Sequence, residues 1–222
     1  MPPSALIFDF NGVLVDDEPV HCELFQAVLS QHGITLTRDD YFQRYFVFDD
    51  AGVFRQVFAD AGRPISDPDV RSLCDTKAAR YAALPASRFT YYEGSEALAR
   101  DASRTVPVGI ASGARGAEIH RHLELRGLKD VFSAVVSIDD VSKGKPDPEP
   151  FLKAARQLGV PPAGCVAIED SPGGVTSAKS AGMRVVAVTH SVTRDRLSAH
   201  LVFDTLAGTT WAGLLAELNR PR

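Results

Sequence analysis

The chain has 222 residues, enough for one large domain or for a core with a smaller insert. Hydrophobic residues make up 45% and charged residues 23%, and the net charge of −4 comes with no basic block, so neither nucleic acid nor a membrane is expected as a partner. The N-terminus lacks the basic region of a signal peptide, and three separated cysteines without paired histidines favour reduced thiols, so a cytoplasmic protein is expected.

The first predicted element is a buried strand near the N-terminus. Apolar residues from Leu6 to Phe8 lead into Asp9, and Gly12 marks a turn two residues after Phe10. A carboxylate at this place is costly to bury unless a cation or hydrogen bonds meet it. Asp9 is therefore a candidate nucleophile or metal ligand, and a turn acid or helix N-cap is the open alternative.

The segment of residues 18–88 has a different pattern. It contains no clear buried strand, its apolar residues recur at helical intervals, and Gly33 and Pro85 are among the residues that interrupt it. We interpret it as an all-helical insert placed directly after the first strand. Its aromatic residues are expected to pack in a core, as aromatic residues at helical spacing usually do.

Beyond position 90, short apolar runs alternate with helical patterns. This alternation predicts a Rossmann-like, three-layer α/β core with a central parallel sheet and helices on both faces. The predicted domains are the α/β core, residues 1–17 and 89–222, and the helical insert, residues 18–88. The expected strands are residues 106–111, 134–137, 165–168, 185–188 and 201–203, and the expected helices are residues 114–126, 150–158 and 172–181.

Polar side chains follow four of the predicted strands. Taken singly, they have ordinary explanations: a helix cap, a solvated loop lysine, or acids at a helix N-terminus. The carboxyl ends of parallel strands meet at one sheet edge, where three carboxylates would repel one another without a cation. Oxygen ligands without histidine or cysteine favour Mg²⁺, and each residue type suits the handling of a phosphoryl group. The residues are Asp9, Ser112 with Gly113, Lys145, and Glu169 with Asp170.

The order and spacing of these motifs resemble the haloacid dehalogenase (HAD) superfamily of phosphotransferases. Within it, the chain is similar to the subgroup with a helical cap inserted after the first motif, which includes phosphoglycolate-phosphatase-like and β-phosphoglucomutase-like proteins. The motifs are Phe8-Asp9-Phe10-Asn11-Gly12-Val13-Leu14, Ile110-Ala111-Ser112-Gly113, Gly144-Lys145-Pro146 and Ile168-Glu169-Asp170-Ser171-Pro172.

The resemblance implies a nucleophile and a metal site. Asp9 would attack phosphorus and become an aspartyl phosphate, which divides hydrolysis into two displacements. Mg²⁺ would be held by Asp9, the backbone carbonyl of Asn11 and Asp170, with Glu169 acting through water.

The resemblance also implies groups that bind the substrate, a small phosphorylated metabolite. Ser112 and the amides of Gly113 and Ala114 would hold the transferring group, and Lys145 would pair with both Asp9 and the phosphate. In the cap, Lys77 is at a position where mutase-like relatives grip a second phosphate, with a solvated helix face as the alternative. A monomer or weak homodimer is expected.

Asn11 departs from the family pattern, in which a second aspartate protonates the leaving group. An amide keeps the shape of that side chain but cannot exchange a proton near neutral pH, and losing such catalysis commonly costs about 10²–10⁴ in rate. Three explanations are open: a substitution introduced to capture substrate, a natural residue in a slow enzyme, or a protein that has abandoned turnover. The intact state of the other catalytic positions favours the first.

The sequence therefore predicts an Mg²⁺-dependent phosphomonoester hydrolase that is slow or inactive in this form. Two alternatives stay open, a β-phosphoglucomutase-like phosphotransferase and a non-catalytic protein that binds a phosphorylated metabolite.

Overall fold

A computed structural model of the protein describes residues 3–46 and 48–220. The chain forms two compact units, Met1–Asp16 with Thr90–Arg222, and Asp17–Phe89, which we call the core unit and the helical unit. None of the helices within the described ranges is long and apolar enough to cross a membrane.

The core unit contains a six-stranded parallel sheet in the order β5-β4-β1-β6-β7-β8. A separate antiparallel ribbon, β2 with β3, lies where the chain leaves the core unit and where it returns. The predicted parallel α/β fold is confirmed, whereas the ribbon was not predicted. The strands are β1 Ala5–Phe8, β2 Val15–Asp16, β3 Thr90–Tyr91, β4 Val108–Ala111, β5 Ala134–Val136, β6 Cys165–Glu169, β7 Arg184–Val188 and β8 Leu201–Phe203.

The helical unit follows the first strand, as predicted. Three of its helices are capped by polar side chains: the oxygens of Thr37, Asp49 and Ser66 each accept a hydrogen bond from a backbone N–H in the first turn. A π-helical turn, Tyr41–Tyr45, directly continues the second helix. The helices are α1 Glu18–Ser30, α2 Arg38–Asp40, α3 Asp50–Asp60 and α4 Asp67–Ala83.

Further helices among the described residues belong to the core unit; α7, Glu149–Gln157, packs on β4 and β5, and α8, Pro172–Ser180, packs on β6 and β7. The predicted start of one helix at Ala114 is wrong by two residues, because Ser112 and Ala114 form a turn instead. The helix predicted to start at Pro172 does start there, and its N-cap is Ser171, whose side-chain oxygen accepts a hydrogen bond from the N–H of Gly174. The helices are α5 Glu93–Ala102, α6 Gly116–Leu125, α7 Glu149–Gln157, α8 Pro172–Ser180 and α9 Trp211–Leu218.

Each unit has its own apolar core. In the core unit, β1 is completely buried between β4 and β6, which explains its unbroken apolar sequence. In the helical unit, the core is rich in aromatic side chains such as Phe25, Phe54 and Phe58, as predicted. Phe42 is an exception, because it is exposed.

A buried polar chain runs through the helical unit and includes Lys77, whose side chain is 0% exposed. The Lys77 ammonium lies 2.7 Å from a carboxylate oxygen of Asp50 and 2.6 Å from Nδ1 of His21. Nε2 of His21 lies 3.2 Å from Asp17, which also accepts a hydrogen bond from Tyr81. The interpretation of Lys77 as part of a solvated helix face is therefore wrong.

We expect the substitution Asp50→Asn to lower the free energy of unfolding by about 3 kcal/mol, because it leaves the buried Lys77 ammonium without its counter-charge. The double variant Asp50→Asn/Lys77→Met should recover most of this loss, since an apolar side chain of similar volume replaces the buried charge. Urea unfolding followed by circular dichroism measures both changes.

The matched control is Asp39→Asn at an exposed position of α2, which should change stability by less than about 0.5 kcal/mol. If Asp50→Asn behaves like this control, the Asp50–Lys77 ion pair does not stabilise the helical unit.

Candidate active site

The sheet places the predicted site residues at the carboxyl ends of adjacent strands. Asp9 follows β1, and its N–H donates to the carbonyl of Ile168 in β6 over 2.9 Å. Glu169 ends β6, Asp170 follows it, and Ser112 follows β4 on the other side of β1. Strand order reverses around β1, and this is where α/β sheets bind ligands.

Lys145 connects the acids of neighbouring strands. Its ammonium lies 2.6 Å from Oδ1 of Asp9 and 2.5 Å from Oε1 of Glu169, and 5.0 Å from the ring centre of Phe151. Burial disfavours the charged form of this lysine, but Asp9 and Glu169 outweigh burial and raise the pKa of Lys145 above its usual value. The interpretations of Lys145 as a solvated loop residue and of Asp9 as a turn acid are therefore wrong.

Three carboxylates are gathered here with this single lysine. Asp9, Glu169 and Asp170 are all buried, and each offers an oxygen within 4.8 Å of the others. Burial raises the pKa of Asp9 to about 6, with Lys145 opposing and Glu169 adding to the shift. Burial, followed by the charges of Glu169 and Asp9, raises the pKa of Asp170 well above its usual value. The lysine alone therefore leaves unbalanced negative charge.

Glu169 has partners for both of its oxygens. Oε1 accepts from Lys145, while Oε2 accepts from the N–H groups of Asp170 and Ser171 at 2.9 and 3.1 Å and from the Ser171 hydroxyl at 3.0 Å. A Cβ at Gly174 in α8 would lie 1.7 Å from Oε1. Only glycine at this position lets the helix start beside the carboxylate.

Ser112 is buried, and its hydroxyl oxygen accepts a hydrogen bond from the N–H of Ala114 over 3.0 Å. It does not cap α6, whose N-cap is Arg115, so the helix-cap interpretation is wrong. The intervening Gly113 is exposed, with open space where a side chain would be. Ser112, Gly113 and Ala114 therefore lie at the carboxyl end of β4, the strand next to β1.

Asn11 and Gly12 lie in the turn that follows Asp9. Asn11 is half-buried and forms a β-bridge with Val15. Gly12 has a φ of +72°, and a Cβ there would lie 1.9 Å from Oδ2 of Asp170. The turn predicted at Gly12 therefore brings backbone into close approach with this carboxylate, which only glycine permits.

The residues fit a divalent cation. Carboxylate oxygens are the ligands that Mg²⁺ prefers, and a cation near Asp9 and Asp170 would favour their ionised forms, which burial and then the neighbouring carboxylates disfavour. Since Glu169 already has partners for both oxygens, Asp9 and Asp170 are the better candidates for direct ligands.

Sequence reasoning missed three residues that lie next to these acids or contact the Gly12 turn. Gly174 is one of them. Two successive glycines, Gly173 and Gly174, in the first turn of a predicted helix are unfavourable for helix formation, and this was the available signal that one of them is needed for close packing. The other two are His190 and Ser191, which follow β7 at the same sheet edge. The sequence analysis considered polar residues that follow four other predicted strands, and the same rule applied to the strand of residues 185–188 would have found them. Lys77, in contrast, lies in the helical unit, in the polar chain described above.

A parallel sheet that gathers three acids and a lysine at one edge defines an α/β protein with a candidate metal-dependent site. Sequence comparison gives the family: residues 6–188 match the profile of the haloacid dehalogenase-like hydrolases. The chain belongs to this hydrolase family.

Relatives support the assignment along most of the chain. Protein CbbY of Rhodobacter capsulatus is 32% identical over 209 residues, 90% of this chain and 91% of that protein. Hexitol phosphatase B of Escherichia coli (strain K12) is 30% identical over 188 residues, covering 83% and 82%. The crystal structure of CbbY from Rhodobacter sphaeroides in complex with phosphate has a TM-score of 0.85 at 24% identity, covering 96% of this chain and 99% of that one, and so shares the fold.

We expect Gly174→Ala to destabilise the protein by about 1–3 kcal/mol, because its methyl group must displace the Glu169 carboxylate. The neighbouring Gly173→Ala is a matched control, since a Cβ there meets no atom within 4 Å. In the helix, this control should stabilise the protein by about 0.4–1 kcal/mol. Denaturant unfolding compares the two variants, and equal effects at both positions would contradict the close approach at Gly174.

Mg²⁺ should stabilise the metal-free protein by about 2.7 kcal/mol at 100 times its dissociation constant. Asp170→Asn should lose this gain, yet be at least as stable as the parent without Mg²⁺ at neutral pH, because it removes a buried charge. Thermal unfolding with and without Mg²⁺ measures both effects, with the exposed Asp195→Asn as control. An equal response to Mg²⁺ in parent and Asp170→Asn would place the ion elsewhere.

Proposed function

We propose that the chain is a Mg²⁺-dependent phosphatase that hydrolyses the monoester of a small phosphorylated metabolite, with sugar phosphates the first candidates. The observation that carries this proposal is the bridge of Lys145 between Asp9 and Glu169, with Asp170 beside them. Membership of a hydrolase family supports the reaction class, and a relative named hexitol phosphatase B supports the substrate class.

Asp9 is the proposed nucleophile. Its carboxylate oxygen forms a bond to phosphorus while the bond from phosphorus to the ester oxygen breaks, and the chain then carries an aspartyl phosphate. In the second displacement, water attacks phosphorus, inorganic phosphate leaves and the Asp9 carboxylate is restored. Lys145, held 2.6 Å from Asp9, favours the ionised form of this carboxylate and restrains its orientation.

Other groups of the core unit hold the proposed metal and phosphoryl group. Asp9, Asp170 and the Asn11 carbonyl would bind Mg²⁺, with Glu169 acting through water. When bound, the ion would reduce the repulsion between the acids and the phosphoryl oxygens. Ser112, with the amides of Gly113 and Ala114, would bind the transferring group. Contact of Lys77 with the substrate stays a prediction.

Asn11 limits turnover in this proposal. The family's aspartate at this position can give a proton to the leaving oxygen and take one from the attacking water, whereas an amide can do neither near neutral pH. The leaving oxygen must then take its proton from water or from another residue. The alternative favoured by Asn11 is a protein that binds a phosphorylated metabolite without turning it over.

Asn11→Asp should raise kcat by about 10²–10⁴, because it restores general acid–base catalysis. The measurement is phosphate release from a panel of sugar phosphates, phosphoglycolate and nucleotides, with and without Mg²⁺. The two forms should bind substrate with similar affinity, since the change affects proton transfer rather than the binding groups.

The double variant Asn11→Asp/Asp9→Asn is the control, and it should abolish the gain by removing the nucleophile. An active parent that Asn11→Asp does not accelerate would refute the role given to Asn11. Absence of phosphate release from every substrate, by the parent and by Asn11→Asp, would refute the phosphatase proposal. Binding without release in that case would establish the non-catalytic alternative.

A further inference from the structure

The loop after β7 contacts the carboxylate of Asp170. The hydroxyl of Ser191 donates a hydrogen bond to Oδ2 of Asp170. Strand pairing explains this contact: Glu169 lies opposite Ala187 in the register of β6 and β7, so the residues just after both strands emerge side by side. Ser191 is thus brought to the site by the sheet itself.

Backbone at Gly12 closes the other side of the same oxygen. A Cβ on Gly12 would lie 1.9 Å from Oδ2 of Asp170 and 2.8 Å from Oγ of Ser191. The carboxylate oxygen is therefore confined between a hydroxyl donor and the turn that follows the nucleophile. This confinement restricts rotation of the Asp170 carboxylate and so sets where its second oxygen points.

His190 holds Gly12 in this position. Its Nδ1 lies 2.7 Å from the carbonyl oxygen of Gly12, and since a carbonyl only accepts, Nδ1 carries the proton. The imidazole ring also stacks on Tyr92, with 3.8 Å between ring centres and 7° between planes. Gly12 and Asp170, which approach each other closely, are thus each restrained by a residue of the same loop. His190 restrains the Gly12 turn, and Ser191 restrains the Asp170 carboxylate.

We propose that Ser191 is a positioning residue that orients Asp170 for a divalent cation, with His190 holding the Gly12 turn against the acid. The inference rests on the proposed function, because it takes Asp170 as a metal ligand. Without the hydroxyl, the repulsion of Asp9 and Glu169 would turn the Asp170 carboxylate away from the shared site. In this role Ser191 acts through the Asp170 carboxylate rather than on the ion or the substrate directly.

The test measures metal affinity directly. Mn²⁺ binding is followed by electron paramagnetic resonance and Mg²⁺ binding by titration calorimetry, on the full chain at fixed pH. Ser191→Ala should weaken both affinities by about 10–100-fold, the usual effect of removing a hydrogen bond to a metal ligand. Ser191→Thr, which keeps the hydroxyl, should restore most of the affinity, and Ser180→Ala, at an exposed position of α8, should leave it unchanged.

A second readout separates positioning from a general structural role. In the Asn11→Asp background, Ser191→Ala should raise the Mg²⁺ concentration for half-maximal activity by the same factor, while kcat at saturating Mg²⁺ stays nearly constant. A loss of kcat that saturating Mg²⁺ does not restore would overturn the proposal. If Ser191→Ala does not fold, Ser191→Cys, a weaker donor of similar size, takes its place with the same expectation.

The outcomes distinguish this inference from the proposed function. A parent chain that binds neither ion refutes the metal site, and with it both proposals. A parent that binds, with Ser191→Ala binding equally well, overturns only the role of Ser191. A Ser191→Thr variant as weak as Ser191→Ala, with unchanged thermal stability, shows that the hydroxyl is not the responsible group and also overturns it.

Discussion

The mutual repulsion of three buried carboxylates is the constraint on which this site depends. Asp9, Glu169 and Asp170 each offer an oxygen within 4.8 Å of the others; beyond the effect of burial, Glu169 disfavours ionisation of Asp9, and Glu169 and Asp9 disfavour ionisation of Asp170. One lysine bridges two of them. No helix alone brings such a group together, because the acids come from strand ends about 160 residues apart in the chain. The parallel sheet is therefore what makes the cluster possible.

The negative charges of the three carboxylates are compensated to different extents by hydrogen-bond donors. Glu169 is surrounded by donors from Lys145, Ser171 and the backbone, so its negative charge is already compensated. Asp9 shares one donor with it, and Asp170 accepts from the neutral hydroxyl of Ser191. The uncompensated charge thus lies between Asp9 and Asp170, which is where a cation gains most. This difference distinguishes Glu169, whose charge is already compensated, from Asp9 and Asp170, which are the better candidates to bind a cation directly.

The sequence predicted the parts of this arrangement that follow from strand order. An apolar run ending in Asp9 and a second ending in Glu169 indicate two buried strands with acids at the same edge, and the structure has both. The position of Ser191 after a predicted strand indicates only that it lies at this sheet edge. The sequence does not show which strands are neighbours, so it did not reveal that Ser191 contacts Asp170. The close approaches of Gly12 and Gly174 likewise depend on the positions of side chains far away in sequence. Side-chain pairing across strands is set by packing, which no local pattern encodes.

Lys145 and Lys77 show why residue type alone does not define a role. Lys145 bridges two acids at the edge of the sheet, and its side chain is 13% exposed. Lys77 is 0% exposed and is held by Asp50 and His21 beneath the ring of Phe25. A lysine whose donors are already used must give up a buried ion pair before it can bind a phosphate, which costs several kcal/mol. Contact of Lys77 with a substrate would therefore require Asp50 or His21 to separate from its ammonium. Lys145 is also held by two ion pairs, but these place it at the sheet edge beside the proposed nucleophile Asp9.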